Sequence, residues 1–561
     1  MTFPRGLALT LGVLTLLILL VAAPLATILL DTIPSLAWAE VLTGRLARNL
    51  TWEPLGTTMV LGLATAVGSV AIGGTLAWLV VMTDVPFRRT LGVLATLPLM
   101  IPSFATALAW GSVFRNSRVG GSVGMLEGMG FSIPDWLAWG VLPTSIILIA
   151  QYYALAFTVI AAALASVNGD AIEAGEMAGA SRSRILTGIV LPMVTPAVLA
   201  GASLAFAAAV SNFAAPALLG LPVRMQTLST RLFGMIEIGQ TERGYVLALI
   251  LIVVSAICLG VGNKLLAGRR SFATIGGKGA RRANMRLGGA RWPLCAAAMT
   301  VCAMSTIVPI ILLAAASFAP QSSDLFSDWT LHFWTGDANP AFARGQPGVF
   351  QNPQMMTALW MTLGLGAGVA VATVLIGILA AVALNGQRIP LLTEAVSQLS
   401  FLPMLLPGIA FGAAYIALYG APVGPLPALY DTPWLLALAL TAASLPFAVQ
   451  TGRATVAQIA GDVDEAARMT GAGFFRRLGA ITLPLASRGM IAGGLLAFVN
   501  VVGDLAIVVL LYTPQTPVLS VLSYRYASDG FHQFANAVTL VILIVSVLAT
   551  VLAHTLKGRA R

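Results

Sequence analysis

Apolar residues dominate the chain in twelve long runs. Six lie near residues 7–30, 57–82, 91–113, 139–166, 193–217 and 244–267, and six more near 292–317, 356–384, 394–419, 434–458, 485–511 and 534–556. Runs of this kind reach the roughly 20 residues that carry an α-helix across a bilayer. The alternating segments of a membrane β-barrel are not seen. The pattern predicts an all-α polytopic membrane protein with about 12 transmembrane helices. The first run follows Arg5 and offers Ala22, Ala23 and Ala26 as small residues before a leader-peptidase cut. The seventh run, however, carries an internal proline in the same way, Pro309 against Pro24. An internal run is no leader, so the first is read as a span.

The polar stretch between the fourth and fifth runs recurs. Asp170 to Pro192, DAIEAGEMAGASRSRILTGIVLP, returns 292 residues later as DVDEAARMTGAGFFRRLGAITLP, Asp462 to Pro484. Glu173 and Glu465, Ala174 and Ala466, Gly179 and Gly471, Ile189 and Ile481, and Pro192 and Pro484 coincide without a gap. Each copy opens with D-x-x-E, the arrangement of a capped helix start. A short helix is predicted to begin at each Asp and to end at Gly179 or Gly471, where glycine takes the left-handed conformation. A second helix then runs toward the Leu-Pro.

The repeat extends further. Leu97-Pro98 with Pro102 matches Leu402-Pro403 with Pro407, and Gly201 with Leu204-Ala205-Phe206 matches Gly493 with Leu496-Ala497-Phe498. The expected organisation is two tandem six-helix domains, 1–267 and 292–561, with loops at about 168–192 and 460–484 and a basic linker, 268–291. An even number of spans per half gives the halves one orientation, related by a pseudo-two-fold axis along the membrane normal. The four prolines are expected to break or kink the third span of each half.

With 58% hydrophobic and only 9% charged residues, the chain falls outside the soluble class, where charged residues are about a quarter. Its formal charge of +10 raises nucleic acid as a partner, and the distribution decides against it. If both termini are cytoplasmic, 22 of the 31 Lys and Arg fall on that side with the repeated loops and the linker. That is the positive-inside bias. The linker, Gly-rich with Arg269, Arg270, Arg281 and Arg282 among its cations, is read as a flexible cytoplasmic tether beside the lipid bilayer.

Catalytic chemistry is not legible. His332 and His532 are placed in outer loops and His554 at a span end, each alone, and Cys258, Cys295 and Cys302 show no paired or metal-like spacing. Gly276-Gly277-Lys278-Gly279 lacks the spacing and hydroxyl of a phosphate-binding loop. No metal site and no cofactor are expected on this chain. Within the spans the polar residues Asn212, Asn500 and Asp504, with Ser211, Gln151 and Gln450, are the candidates for a substrate path, since polar groups in hydrocarbon face the protein interior or water. Helix-to-helix hydrogen bonding is the plainer use of the same residues. The repeated loop also has a plain reading, a helical hairpin closing the bundle.

The E-A-A-x3-G-x9-I-x-L-P pattern of both loops resembles the signature of permease subunits of ATP-binding-cassette importers of type I, with Gly175 replacing the third-position alanine in the first copy. The resemblance covers the whole chain as two fused permease domains, most similar to the ferric-iron, thiamine and phosphonate group, which also takes in polyamines. It implies that the short helix of each loop couples to an ABC ATPase through Asp170, Glu173, Ala174 and Gly179 in one copy and Asp462, Glu465, Ala466 and Gly471 in the other. It further implies two copies of the ATPase, carrying ATP and Mg, an extracytoplasmic substrate-binding protein and residence in the bacterial cytoplasmic membrane. Ferric iron is the first substrate expectation, from Gly503-Asp504-Leu505. The alternative class is an ion-driven secondary transporter, against which the repeated loops and the lack of clustered membrane carboxylates count. A membrane scaffold without transport would leave the matched prolines unexplained.

Overall fold

The structure is a computed structural model that describes residues 5–167, 169–267, 285–340, 345–386, 389–422, 427–458, 467, 469 and 473–558. Among the described residues, nine helices are long and apolar enough to cross a bilayer. They are Leu7–Thr32, Arg48–Met82, Asp135–Ala165, Ser183–Ser211 and Thr241–Gly260 in the first half, and Gly288–Phe318, Pro353–Leu384, Pro433–Val456 and His532–Ala553 in the second. Two further spans are broken, as the prolines predict. Arg88–Met100 and Ser103–Phe114 meet at 92°, Pro390–Leu405 and Gly408–Tyr419 at 115°. Pro102 and Pro407 are themselves extended, with ψ of 142° and 127°, and the helix restarts at the next residue. Leu483–Gly503, of which Gly489–Gly503 is a shorter apolar stretch, stands in the eleventh of the twelve places predicted from the sequence.

Among the described residues, five spans contain a short π-turn: Ile18–Ala22, Arg48–Trp52, Leu186–Val190, Ala303–Ile307 and Leu478–Thr482. Each ends two residues before a proline, namely Pro24, Pro54, Pro192, Pro309 and Pro484. Proline has no N–H for the carbonyl four residues back. In the first four of these turns the residue just before the proline donates instead to the carbonyl five residues back, as Leu191 does to Leu186. The Leu-Pro that closes both repeated loops is thus the end of a widened turn at the base of the fifth and eleventh spans.

Within each half the second, fourth and fifth spans pack together, and the sixth lies against the fifth. The first span of each half crosses to the other half. Leu7–Thr32 packs on Gly408–Tyr419, where the Tyr415 hydroxyl donates to the Leu20 carbonyl at 2.7 Å and Tyr419 to that of Leu19 at 3.1 Å. Reciprocally, Gly288–Phe318 packs on Ser103–Phe114, and the hydroxyls of Tyr153 and Ser305 lie 2.9 Å apart. Leu20 and Ser305 each stand four residues before the proline of their span, at the carbonyl that proline leaves unserved. The two repeats are interlocked by this exchange.

Of the linker, residues 268–284 lie outside the described residues. Its end departs from a flexible tether. The Met285 N–H donates to the Met82 carbonyl at 2.8 Å, the Asp84 N–H to that of Met285 at 3.3 Å, and the Leu287 N–H to Asp84 Oδ1 at 2.7 Å. Backbone pairing therefore pins this segment to the loop after the second span, just ahead of the helix that starts at Arg291.

Candidate functional site

The repeated loop forms an elbow. Its helix, Gly169–Met177, starts one residue ahead of the predicted Asp170, whose side chain is outside what is described, as is residue 168, where the cap would fall. It stops where expected. Gly179 has φ +75°, and the Ala180 N–H turns back to the Gly175 carbonyl at 3.0 Å, the closure that a left-handed glycine permits.

Two faces of this helix differ. The inner one carries Ile172, buried in a cluster with Val167, Ile185 and Val190. Gly175 lies on it too, where a Cβ would approach Ile189 Cδ1 to 3.0 Å and Ile185 Cγ1 to 3.3 Å. The fixed interval between the Glu-Ala and the Ile-x-Leu-Pro is thereby explained: the helix rests on the widened turn that Pro192 produces. On the outer face Glu173 and Ala174 are exposed, and Met177 is 86% exposed.

In the second copy Asp462, Glu465, Ala466 and Gly471 lie outside the described residues. Its later elements fall 292 residues beyond those of the first: Phe474–Arg477 after Arg182–Ile185, then Leu478–Thr482 and Leu483–Gly503. Met469, the counterpart of Met177 at this interval, is 89% exposed. Sequence reasoning passed over this methionine pair, although it matches at the same interval. Both copies of the loop thus present an exposed methionine at the same position of the repeat.

A second candidate site lies between the halves. A cavity of about 300 Å³ brings Asn212 of the first half together with Asn500 and Asp504 of the second, beside Ser103, Gln151 and Tyr152. Gln151 is near the middle of the span Asp135–Ala165, so the cavity is at mid-depth. Asn212 Nδ2 donates to Ser103 Oγ at 2.9 Å and to Tyr152 Oη at 3.0 Å. The Gln151 side chain donates at 3.1 Å to the Ile101 carbonyl, at the break before Pro102. Ser211 also lines this cavity, whereas Gln450 is exposed on the bundle surface and is not part of it.

Among the described residues no three His, Cys, Asp or Glu side chains are placed to share a metal ion. Cys295 and Cys302 are buried thiols and Cys258 is half-buried. His532 is not in a loop: it opens the last span and lines a further cavity.

The profile described as "Binding-protein-dependent transport system inner membrane component" matches residues 69–270 and 373–561, once in each half. A probable ABC transporter permease protein, y4fN, of Sinorhizobium fredii is 27% identical over 486 residues, spanning 83% of this chain and 81% of its own. The Fe(3+)-transport system permease protein FbpB 2 of Haemophilus influenzae is 24% identical over 95% of this chain and 96% of its own. The sulfate transport system permease protein CysT of Salmonella typhimurium is 27% identical over 38% of this chain and 79% of its own. Among solved structures, a bacterial alginate ABC transporter in complex with an alginate pentasaccharide-bound periplasmic protein overlays 38% of this chain, with a TM-score of 0.33 and 19% identity.

Proposed function

Because the chain belongs to the family of binding-protein-dependent transport system inner membrane components, and is the multi-pass, non-catalytic permease of an ABC importer, we propose that its two elbows are the handles by which ATPase subunits drive it. The observation that carries this reading is the pair of exposed methionines, Met177 and Met469, on elbows that recur at one interval. A rigid helix seated on the base of a span passes a push directly to that span. Two such handles under a pseudo-two-fold axis suit two copies of one ATPase. Closure of the ATPases on ATP and Mg would rock the halves, opening the mid-depth cavity first outward and then inward.

Under this reading the elbows face the cytoplasm of a bacterial cell, both termini lie on that side, and an extracytoplasmic binding protein delivers the solute at the opposite face. Asn212, Asn500 and Asp504 are the residues of the path. The proposed cargo is ferric iron, supported by the similarity to the FbpB 2 permease along nearly the whole of both chains. Thiamine, phosphonate and polyamine uptake are the alternatives for the same architecture.

The test is reconstitution in proteoliposomes with the partner ATPase and binding protein, screening ferric complexes, thiamine, aminoethylphosphonate, spermidine, sulfate and molybdate for stimulated ATP hydrolysis. The double variant Met177→Glu, Met469→Glu is expected to insert normally yet weaken ATPase association at least tenfold. Normal association of that variant would remove the elbows from the mechanism.

A further inference from the structure

A second cavity, of about 260 Å³, lies beyond the first along the helix Ser103–Phe114. Ser103 and Phe104 line the inner cavity, Leu108 and Ser112 the outer one. Nine residues of helix separate Ser103 from Ser112, about 13 Å. The outer cavity is at the end of the bundle away from the Gly169–Met177 elbow, because Trp139 lines it at the start of the span whose far end leads to that elbow. Its wall is shared: Ser112, Arg115 and Trp139 come from the first half, His532 and Asn536 from the second.

Among the described residues, Arg115 is a cation without a counter-charge, and no carboxylate lines the cavity. Of the two acids next along the chain, Glu127 accepts from the Ser117 N–H at 3.1 and 3.2 Å, and Asp135 is taken by Arg118 in an ion pair and by Asn116 Nδ2 at 2.8 Å. The guanidinium instead lies over the Trp139 ring, 5.4 Å from its centroid, with its Nε buried and unbonded. Trp139 is held in turn by its own N–H to Asn116 Oδ1 at 2.8 Å. Burial pulls the Arg115 guanidinium down to about 10, which leaves it fully charged at neutral pH. A partly buried cation with no counter-charge is stabilised when an anion arrives to pair with it.

Two side chains of the second half, His532 and Asn536, line the same space. Asn536 is almost wholly buried, its Oδ1 has no partner, and its Nδ2 reaches Ser112 Oγ only at 3.4 Å. Ser112 Oγ is the acceptor in that contact, because its own hydrogen goes to the Leu108 carbonyl at 3.0 Å.

The internal repeat supplies a control. Gly408–Tyr419 repeats Ser103–Phe114, so Ser112 and Arg115 have Ala417 and Gly420 as counterparts. Thr241–Ala267 repeats His532–Gly558, so His532 and Asn536 correspond to Thr241 and Tyr245. A purely architectural need would recur in both halves. The charge and the amide occur in one.

We propose that this outer cavity is an anion site, in which Arg115 of the first half pairs with the oxygens of an oxyanion or carboxylate while His532 and Asn536 of the second half donate hydrogen bonds. The placement at the mouth opposite the elbows makes it the first polar station for an incoming solute, and that orientation rests on the importer reading. Anion binding itself does not. The shared chemistry has two sources, a free oxyanion or the anionic ligand shell of a metal complex.

The test uses the full chain in nanodiscs, without ATPase or binding protein. Equilibrium binding of sulfate, molybdate, citrate and ferric citrate is compared for the wild type, Arg115→Gln and Arg115→Lys. Loss of a charge-assisted pair should weaken binding roughly tenfold or more in Arg115→Gln, with partial recovery in Arg115→Lys. Binding of sulfate or molybdate assigns the site to free oxyanions, and binding of citrate or ferric citrate alone to a ligand shell. In unmutated protein, the bound anion should protect Arg115 from phenylglyoxal, read by mass spectrometry, which makes the result independent of variant folding. Binding unchanged in Arg115→Gln, or Arg115 modified equally with and without every probe, overturns the proposal while leaving ATPase coupling untouched.

Discussion

Asn212 and Asp504 occupy matching places in the two repeats and do the same work on the backbone. Asn212 Oδ1 accepts from the Ala215 N–H at 3.1 Å, and Asp504 Oδ1 from the Ile507 N–H at 2.9 Å. Both stand where a long helix, Leu191–Ser211 or Leu483–Gly503, has just ended and a short one is about to start. An unserved N–H at that depth costs several kcal/mol, so an acceptor is required whatever passes through the cavity. The carboxylate charge of Asp504 is not required for that purpose. Asp504→Asn should therefore unfold within about 0.5 kcal/mol of the wild type, and Asp504→Ala should lose about 2–3 kcal/mol, both read by thermal unfolding in detergent. Equal damage from the two substitutions would mean that the charge, and not the acceptor, holds this turn. Sequence singled these residues out as polar positions in apolar runs. The backbone role was illegible because the runs 193–217 and 485–511 continue through the break with little turn signal in their residues. Arg115 was hidden differently: nothing along the chain says that a loop-edge cation will be left without its acid once Arg118 has taken Asp135.

At the scale of elements, helix crossings are set by small residues. A Cβ on Gly73, in the second span, would run into the Tyr153 carbonyl of the fourth, and one on Gly377, in the eighth, would come within 2.7 Å of Ala448 Cβ in the tenth. Without a hydrophobic drive between helices in lipid, such close backbone approach supplies the packing. Gly56 and Gly364, on the same two helices, have nothing within 4 Å of a Cβ. Gly73→Ala and Gly377→Ala are expected to destabilise by about 1–3 kcal/mol through overpacking. Gly56→Ala and Gly364→Ala should be neutral or stabilising by up to about 1 kcal/mol, since alanine is the better helix former. Thermal unfolding of the four variants decides it, and the same response in all four would show that propensity rather than contact governs. The spans and their proline breaks were readable from residue patterns. The widened turns were not, although each proline that causes one was in view, because a π-turn leaves no periodic trace in an all-apolar run.

For the molecule as a whole, the tandem repeat gave the number of domains and their common direction, but an internal match says which residues are equivalent and never which half they touch. The exchange of first spans is of that hidden kind. Leu7–Thr32 is held by Tyr415 and Tyr419 of the second half, and Gly288–Phe318 by the fourth span of the first. Each half consequently leaves part of its own bundle to be completed by a helix from the other. The cavity around Asn212, Asn500 and Asp504 exists only where the halves meet. If the halves rock as proposed, each first span moves with its adopted neighbour, which couples the two repeats without the linker. A protease site placed within 268–284 tests this directly. After cleavage, the two fragments should co-migrate on size exclusion in detergent and keep a single cooperative unfolding transition. Residues 1–267 expressed alone should aggregate, because the surfaces that accept Gly288–Phe318 would be bare. Separation of the nicked fragments into two monodisperse species would mean that the halves are docked and not interlocked.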